Sequence, residues 1–332
     1  MLITFVIPAY NAENYIERSA SSVLAQTHRE LELLIVDDGS TDGTWEVLGR
    51  IAAADSRVRI YHKENGGAAS ARNLAIREAK GEYLGFVDAD DYIAPDMAEI
   101  MLAGLAAEES GGGTLILQIG RREVDESGNS LPDVLPPVRT PELISPEEFI
   151  RRLYLYTGDS SLCTKLTPRK LLLMHPFPEG RTGEDFRLLM EMLPVSGGVL
   201  SLPGMGYYVV HRLGSVTRRG EGQGFSRAYM DVITNADGTA GAVLERFPAL
   251  AAEAERFGLY VREDYLLHVP IADMHGGNRF YADVLSYIRG HFGGMLVNPY
   301  LSPKDKFYLV LFAAAPRLVR RAHRLLMRIR KA

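Results

Sequence analysis

Three aspartates stand directly after an apolar segment. Residues 83–87 read Tyr-Leu-Gly-Phe-Val, and Asp88, Asp90 and Asp91 follow at once. Carboxylates that cluster at the end of a buried strand repel one another unless a cation or hydrogen-bond donors satisfy them. Their hard oxygen atoms suit Mg²⁺ or Mn²⁺, which share their coordination with substrate phosphates. The cluster therefore predicts a metal-bridged phosphorylated ligand. The alternative is an acidic turn that begins a helix, with Asp91 or Asp96 as its cap.

The elements that must position these carboxylates alternate between strand and helix patterns. Strands are predicted at residues 2–7, 31–36, 58–61 and 83–87, and helices at residues 13–26, after residue 42 and at residues 68–80. Gly81 is expected to close the third helix. This order predicts an α/β protein with a parallel, right-handed, doubly wound sheet, whose ligand side lies at the carboxyl ends of the strands.

Four polar segments fall on that predicted ligand side. They are VIPAYN at residues 6–11, VDDGSTD at residues 36–42, NGG at residues 65–67 with ARN at residues 71–73, and GEY at residues 81–83 leading into DADD at residues 88–91. In this order they resemble the family 2 glycosyltransferases of the GT-A fold. The resemblance is close over residues 2–100 and looser over residues 100–215.

The resemblance implies both a fold and an activity. Members of the family transfer a sugar from a nucleotide-diphosphate donor with inversion at the anomeric carbon, and they use a divalent ion. For this chain it implies a GT-A fold with a doubly wound, mainly parallel sheet and Mn²⁺ or Mg²⁺ as cofactor. A UDP-sugar is the expected donor, and a hydroxyl of a saccharide or lipid-linked molecule in cell-surface polysaccharide synthesis is the expected acceptor.

In this resemblance, two strand ends form the nucleotide pocket. Asp38 accepts a hydrogen bond from the base, and an anionic acceptor strengthens a bond to a ring N–H such as that of uracil. The alternative is that Asp37, Asp38 and Ser40 only cap the following helix. The wall of the pocket is assigned to Pro8, Ala9, Tyr10 and Asn11.

The diphosphate and the metal ion are assigned to the next two segments. Gly67 and Arg72 lie at a helix start, where a fixed cation and free amides can face a diphosphate. The alternative for Arg72 is a solvated surface side chain. The resemblance places Asp88 near the ribose and the metal ion, and it makes Asp90 the metal ligand. It leaves Asp91 less clearly assigned.

Inversion by direct displacement also requires a general base. The segment EGRTGEDF at residues 179–186 resembles the Glu-Asp element of the family, in which the aspartate is the base. Asp185 is therefore the predicted base, and Glu184 is the fallback. A helix is expected from Gly183 through Leu193, so both acids would occupy its first turn. Acids in a first turn are also common for stability alone.

Two later segments match the family more weakly. Residues 163–166, read with Arg169, resemble an element that shapes the acceptor side, although Cys-Thr stands where an aromatic and a polar residue are expected. His211 ends a strand-like segment and is a candidate for contact with the metal ion or the pyrophosphate; the alternative is a structural role. Glycines and arginines between residues 214 and 224 suggest either a loop that closes over the diphosphate or a plain linker.

The composition agrees with a large soluble domain and an appendage. The chain has 332 residues, 46% of them hydrophobic and 24% charged. Its one cysteine, Cys163, excludes an intramolecular disulfide, and no paired Cys/His spacing suggests zinc. The first residues already read as a core strand, and no apolar run approaches 18 residues. These features lead us to expect a cytoplasmic protein without a signal peptide.

The charge of the chain is unevenly distributed. The whole chain carries −5, but the last 27 residues carry +8 with no acid, so residues 1–305 carry −13. Apolar residues interleave with these basic residues, as in an interfacial helix drawn to anionic lipid at the inner face of the plasma membrane. The alternative is a helix that packs its apolar face on the protein. A nucleic-acid arm is disfavoured, because the apolar content exceeds what phosphate contact needs. The basic residues are Lys306, Arg317, Arg320, Arg321, Arg324, Arg328, Arg330 and Lys331.

These patterns predict three regions. Residues 1–220 form a catalytic domain, in which residues 1–100 bind the nucleotide-sugar and residues 101–220 form the acceptor side. Residues 221–300 form a helical appendage that completes the acceptor side or contacts another subunit, and residues 301–332 form the basic amphipathic tail.

Other functional classes fit the motifs less well. A sugar nucleotidyltransferase would carry a Gly-rich basic loop after the first strand, where this chain has PAYN at residues 8–11. A dinucleotide-dependent oxidoreductase would carry Gly-x-Gly-x-x-Gly at the same turn. A degenerate nucleotide-binding module would not need Asp185.

Overall fold

The computed structural model describes residues 1–108, 114–212 and 225–331, with side chains through residue 327. Nine strands are present in this part of the chain: β1 Ile3–Ala9, β2 Leu31–Asp37, β3 Val58–His62, β4 Tyr83–Phe86, β5 Tyr92–Ile93, β6 Ile116–Asp125, β7 Glu142–Ile144, β8 Lys165–Pro168 and β9 Val199–His211. The helices before residue 200 are α1 Ile16–Leu24, α2 Thr44–Ala54, α3 Ala68–Glu78, α4 Met97–Ala107, α5 Pro146–Tyr154, α6 Arg169–Met174 and α7 Glu184–Met192.

The first four strands form the parallel core that the sequence predicts. They lie side by side in the order β3, β2, β1, β4, and all three pairings are parallel. Every residue of β2 is buried, which is typical of a parallel strand covered on both faces. The register pairs Ala9 with Asp37 and Asp37 with His62, so the polar residues that follow these strands emerge along one edge.

The remaining strands make the sheet mixed. The order continues from β4 to β8, β6, β9 and β5, and β7 pairs with β9. Strand β8 runs antiparallel to both β4 and β6, whereas β6 and β9 run parallel to each other. The long strand β9 carries the chain back to the carboxyl edge and ends there at His211.

Two local predictions need correction. Helix α1 begins at Ile16 and not at Glu13, because residues 13–15 form a turn in which the Tyr15 N–H bonds the Ala12 carbonyl. Gly81 does not close α3, which ends at Glu78. A Cβ at position 81 would lie 2.5 Å from the backbone nitrogen of Thr4, so close packing against β1 requires the glycine.

The described residues divide into two compact units. Residues 1–153 and 157–212 belong to the first, which contains the whole sheet. Residues 154–156 and 225–331 belong to the second, which is helical. Its helices are interrupted around Pro248, Pro270 and Gly276-Gly277. The helices of the second unit are α8 Ala228–Arg246, α9 Ala251–His268, α10 Arg279–Gly290, α11 Phe292–Val297, α12 Pro303–Ala314 and α13 Pro316–Lys331.

The basic tail forms helices α12 and α13 of the second unit. Helix α13 packs on α9 and α12 and buries Val319, and Arg320 donates to the carbonyl of Val269. Its other face is open, with Leu318 66% and Leu325 60% exposed. No helix among the described residues is long and apolar enough to span a membrane.

Candidate active site

The loops after β1 and β2 are joined by hydrogen bonds. Asn11 adopts a left-handed backbone conformation (φ 49°), and its side-chain oxygen accepts from the N–H of Thr41 at 2.8 Å. Its own N–H donates to the Ser40 hydroxyl at 2.9 Å. In the predicted pocket wall, Ala9 is buried and Tyr10 exposes half of its surface. Tyr10 is therefore open to contact with a ligand.

Asp37 and Asp38 do not cap the following helix. Asp37 accepts from the Ser40 N–H at 3.2 Å, and its other oxygen lies 2.7 Å from Nδ1 of His62. The N–H of Thr44, the first residue of α2, is instead bonded by Asp42. The capping alternative is therefore wrong for both aspartates.

Asp38 holds the Gly-rich loop. Its carboxylate is almost fully buried and accepts from the N–H groups of Gly66 at 3.0 Å and Gly67 at 2.6 Å. Lys63 Nζ lies 2.6 Å from the same carboxylate. Gly67 has φ 86°, a conformation that favours glycine, and α3 begins directly after it. Asp38 thus shapes the loop that leads into α3, and its contact with a base stays a prediction.

Arg72 is the centre of the site. Its side chain is only 8% exposed, so the alternative of a solvated surface arginine is wrong. Nη2 donates to Asp88 at 2.9 Å, and Nη1 donates to Glu184 at 3.0 Å and lies 3.9 Å from Asp185. Burial alone would lower the pKa of Arg72, but the surrounding carboxylates raise it. The guanidinium of Arg72 therefore joins the start of α7 to residues 88–91 after β4, which we call the aspartate turn.

Two members of the aspartate turn have different surroundings. Asp91 is buried, and it accepts from the Tyr207 hydroxyl and the Val210 N–H, each at 2.8 Å. Burial, assisted by the nearby Asp88 charge, raises the pKa of Asp91. Asp91 therefore anchors the turn to β9, whereas the side chain of Asp88 is 43% exposed and is open to a ligand.

The third aspartate of the turn is held from two sides. The carboxylate of Asp90 accepts from Nε of Arg212 at 2.6 Å, and its backbone carbonyl accepts from Arg18 at 2.6 Å. Asp96, the predicted alternative cap, precedes α4 but makes no side-chain capping bond.

Asp185, the predicted base, has one carboxylate oxygen that is hydrogen-bonded and one that is not. It lies in the first turn of α7, where Oδ2 accepts from the Leu162 N–H at 2.9 Å. Its Oδ1 is buried and has no hydrogen-bond partner among the described residues. Burial raises the pKa of Asp185 to about 6, although Arg72 and the Leu162 bond act in the opposite direction. Glu184, the fallback, is instead bonded to Arg72.

His211 points to a partner other than the aspartate turn. Its Nε2 lies 2.7 Å from the carboxylate of Glu123 on β6. Among the described residues, no cluster of three or more His, Cys, Asp or Glu side chains is arranged to hold a metal ion. The structure therefore does not gather Asp88, Asp90 and His211 into one metal site made by protein ligands alone.

The aspartate turn still fits a divalent ion that shares its coordination with a ligand. Asp88 and Asp90 are separated by one residue, and both offer carboxylate oxygens. Each carboxylate is paired with an arginine, so this part of the protein already accommodates positive charge. Mg²⁺ and Mn²⁺ are commonly held by one or two carboxylates plus substrate phosphates and water. The metal roles of Asp88 and Asp90 stay predictions.

Two basic side chains of the segment predicted to shape the acceptor side are bonded within the protein, and its role toward an acceptor stays a prediction. Lys165 is fully buried and donates to the carbonyls of Asp159 and Ser161. Arg169 donates to the carbonyls of Ile76 and Arg77. Cys163 is buried, and its desolvation raises the pKa of its thiol. The predicted Gly- and Arg-containing loop at residues 214–224 lies outside the described residues.

Sequence reasoning assigned no role to several side chains that organise the site. The Asn73 amide accepts from the Phe177 N–H at 2.8 Å and donates to its carbonyl at 2.9 Å, which holds the segment that leads to α7. The sequence signal that could have pointed to Asn73 was its position in the ARN segment, residues 71–73. Lys63 and Glu123 lie in none of the four polar segments, so no comparable sequence signal pointed to them.

Comparisons with known proteins agree with this geometry. Residues 4–163 match the family model of glycosyl transferase family 2. An uncharacterized glycosyltransferase of Haemophilus influenzae is 41% identical over 195 residues, which cover 58% of this chain and 72% of that protein. Chondroitin synthase of Pasteurella multocida is 50% identical over 101 residues, or 30% of this chain, and the match spans only 10% of that protein.

Two solved structures share the fold. S. aureus TarS 1-349 in complex with UDP-GlcNAc superposes with a TM-score of 0.73 at 22% identity, covering 98% of this chain and 92% of that one. The mannosyltransferase PcManGT of Pyrobaculum calidifontis, in complex with GDP-Man and Mn²⁺, has a TM-score of 0.52 at 18% identity, covering 97% and 86%. The fold class expected from the sequence is confirmed, and the chain belongs to glycosyltransferase family 2.

Proposed function

We propose that the chain is an inverting, metal-dependent glycosyltransferase. It moves a sugar from a UDP-sugar to a hydroxyl of a saccharide or lipid-linked acceptor in cell-surface polysaccharide synthesis. The observation that carries the proposal is the state of Asp185, whose buried Oδ1 has no hydrogen-bond partner among the described residues. That oxygen lies 3.9 Å from Arg72, which also binds Asp88 on the predicted donor side.

The chemistry follows from this arrangement. Asp185 takes the proton of the acceptor hydroxyl while the hydroxyl oxygen attacks the anomeric carbon of the donor sugar. The bond from that carbon to the nucleoside diphosphate breaks at the same time. Arg72 keeps Asp88 and the start of α7 in fixed register, so donor and base are oriented together. A divalent ion held by Asp90 and Asp88 would supply positive charge to the leaving diphosphate.

A donor screen tests the proposal. Nucleotide release is measured from UDP-, GDP- and dTDP-sugars with and without Mn²⁺ or Mg²⁺. We expect turnover with a UDP-sugar that EDTA abolishes and either ion restores. Turnover that persists in EDTA would contradict the metal role of Asp90.

The same screen separates the other classes. A sugar nucleotidyltransferase would release pyrophosphate from a nucleoside triphosphate and a sugar 1-phosphate. A degenerate module would bind nucleotide without releasing sugar from any donor. Either result would overturn the glycosyltransferase proposal.

We also propose that the second unit brings the enzyme to an anionic membrane surface, where a lipid-linked acceptor is available. The support is the open face of α13, on which Leu318 and Leu325 lie about two helical turns apart with the exposed Arg321 between them. Apolar burial and basic charge together favour an interface that contains anionic lipid. The opposite face of α13 is packed, so the helix would lie on the surface while remaining part of the unit.

Vesicle sedimentation tests the membrane proposal. Replacing Leu318 and Leu325 together by Gln should reduce sedimentation with phosphatidylglycerol vesicles and leave soluble nucleotide release unchanged. The matched control replaces Leu143 and Leu173, two exposed leucines of the first unit. Raised salt should weaken binding by screening the arginines. If the full-length protein ignores these vesicles at low salt, the proposal fails.

A further inference from the structure

The carboxylate expected to hold a metal ion already has a cationic partner. Arg212 Nε lies 2.6 Å from Oδ2 of Asp90, and its guanidinium lies 4.3 Å from the centre of the Tyr15 ring. The side chains of Arg212 and Asp90 are 26% and 24% exposed. The pair occupies a partly open position that solvent ions can reach.

This pair differs from the other arginine pair of the turn. Arg72 is almost fully buried and is bound by carboxylates of two segments, so its release would leave several acids without a counter-charge. Among the described residues, Arg212 pairs with the single carboxylate of Asp90 and lies over the ring of Tyr15. Its release would leave Asp90 without this partner, and a divalent ion would satisfy that carboxylate.

We propose that Arg212 is an internal counter-ion that a divalent cation displaces from Asp90, and that the freed guanidinium then binds the diphosphate of the donor. The second step rests on the proposed function, whereas the first depends only on the metal role of Asp90. A guanidinium and a divalent cation on one carboxylate repel each other strongly in a partly desolvated site. Diphosphate offers the released arginine a bidentate anionic partner.

The proposal has a thermodynamic consequence. Because the ion must break the Arg212–Asp90 pair, the free protein binds the ion more weakly than the carboxylates alone would allow. Diphosphate binds the released arginine, so diphosphate and ion each strengthen the binding of the other. Arg212 would thus couple the binding of the two ligands. It would also keep the affinity for the ion low while no nucleotide is bound.

Mn²⁺ binding to the full-length protein tests the first step without any donor. Free Mn²⁺ is measured by electron paramagnetic resonance for the wild type and for Arg212→Gln. We expect Arg212→Gln to bind Mn²⁺ about fivefold more tightly, the upper end of the effect of losing one partly exposed ion pair. Arg212→Lys, which keeps the charge, should bind like the wild type.

A matched control separates pairing from net charge. Arg18→Gln removes a positive charge of α1 that contacts the same turn, but Arg18 bonds the carbonyl of Asp90 and not its carboxylate. This variant should show no comparable gain. Equal gains in both glutamine variants, unchanged or weaker binding in Arg212→Gln, or no Mn²⁺ binding in any variant would each overturn the proposal.

The second step has its own readout. Adding UDP should increase Mn²⁺ affinity in the wild type and should increase it clearly less in Arg212→Gln. An equal increase in both proteins would overturn the coupling. Failure of the donor screen would refute the proposed function while the donor-free Mn²⁺ result still stands.

Discussion

Two acidic segments of the first unit have similar composition but different chemistry. The turn after β4 contains Asp88, Asp90 and Asp91, and each carboxylate accepts hydrogen bonds from a different donor group. The start of α7 contains Glu184 and Asp185, of which only Glu184 is hydrogen-bonded to Arg72. The buried Oδ1 of Asp185 lies beside the same guanidinium without a hydrogen bond.

The difference indicates how one residue type serves several roles. A carboxylate whose oxygens are all satisfied by fixed donors positions the chain, as Asp91 does. A carboxylate with a displaceable cation can exchange it for another, as we propose for Asp90. A carboxylate with one oxygen left without a donor has room to accept a proton, and burial raises the pKa of Asp185 to about 6, so Asp185 can do so near neutral pH.

The largest expected effect comes from removing the base. Asp185→Asn should lower sugar transfer by about 10²-fold or more, the usual contribution of a positioned base, while nucleotide binding stays near normal. Steady-state transfer and UDP titration measure the two quantities. Glu184→Gln is the control, and if it lowers transfer more than Asp185→Asn does, the base has been misassigned.

The next effect tests the other segment. Asp90→Asn should weaken Mn²⁺-dependent UDP binding by about tenfold, because the ion loses a charged ligand. Calorimetric titration of UDP with and without Mn²⁺ measures the change. Asp96→Asn is a nearby control whose side chain makes no capping bond. Equal binding by both variants would refute the contrast between Asp90 and its neighbours.

A smaller effect is expected from Asn73, whose two hydrogen bonds to Phe177 hold the segment that leads to α7. Asn73→Ala removes both bonds to Phe177 and leaves a buried N–H without its partner, which should cost about 1 kcal/mol of unfolding free energy. Transfer should fall severalfold through kcat, because Asp185 is less well positioned. Urea unfolding measures the free energy of unfolding, and steady-state kinetics measure kcat. If neither quantity changes, Asn73 does not position the base.

The pH dependence of sugar transfer and of stability tests the raised pKa of Asp185. Transfer should fall below about pH 6, where Asp185 becomes protonated. Because its folded-state pKa lies above its ordinary value of 3.8, the protonated carboxyl stabilises the fold at low pH, and this contribution is lost as the pH rises to about 6. The uncharged Asp185→Asn should therefore melt higher than the wild type at pH 8 but not at pH 3.5. The reverse order would contradict the raised pKa.

The amino-acid sequence by itself determined the parallel core and the places of its polar clusters. Apolar runs of β-branched and aromatic residues require burial, and turn residues follow each of them, so four strands and their carboxyl ends could be predicted. The helix that carries Asp185 in its first turn was also predicted and is present. These features depend on residues close together in the chain.

Only the tertiary structure decided which partner each acid takes. Arg72 and Glu184 are 112 positions apart, and Asp90 and Arg212 are 122 positions apart, so no local pattern could pair them. Residues of one turn point in different directions, so Asp91 is buried against β9 and Asp88 is left open. Burial and charge pairing set the chemistry of a carboxylate, and both are properties of the folded chain.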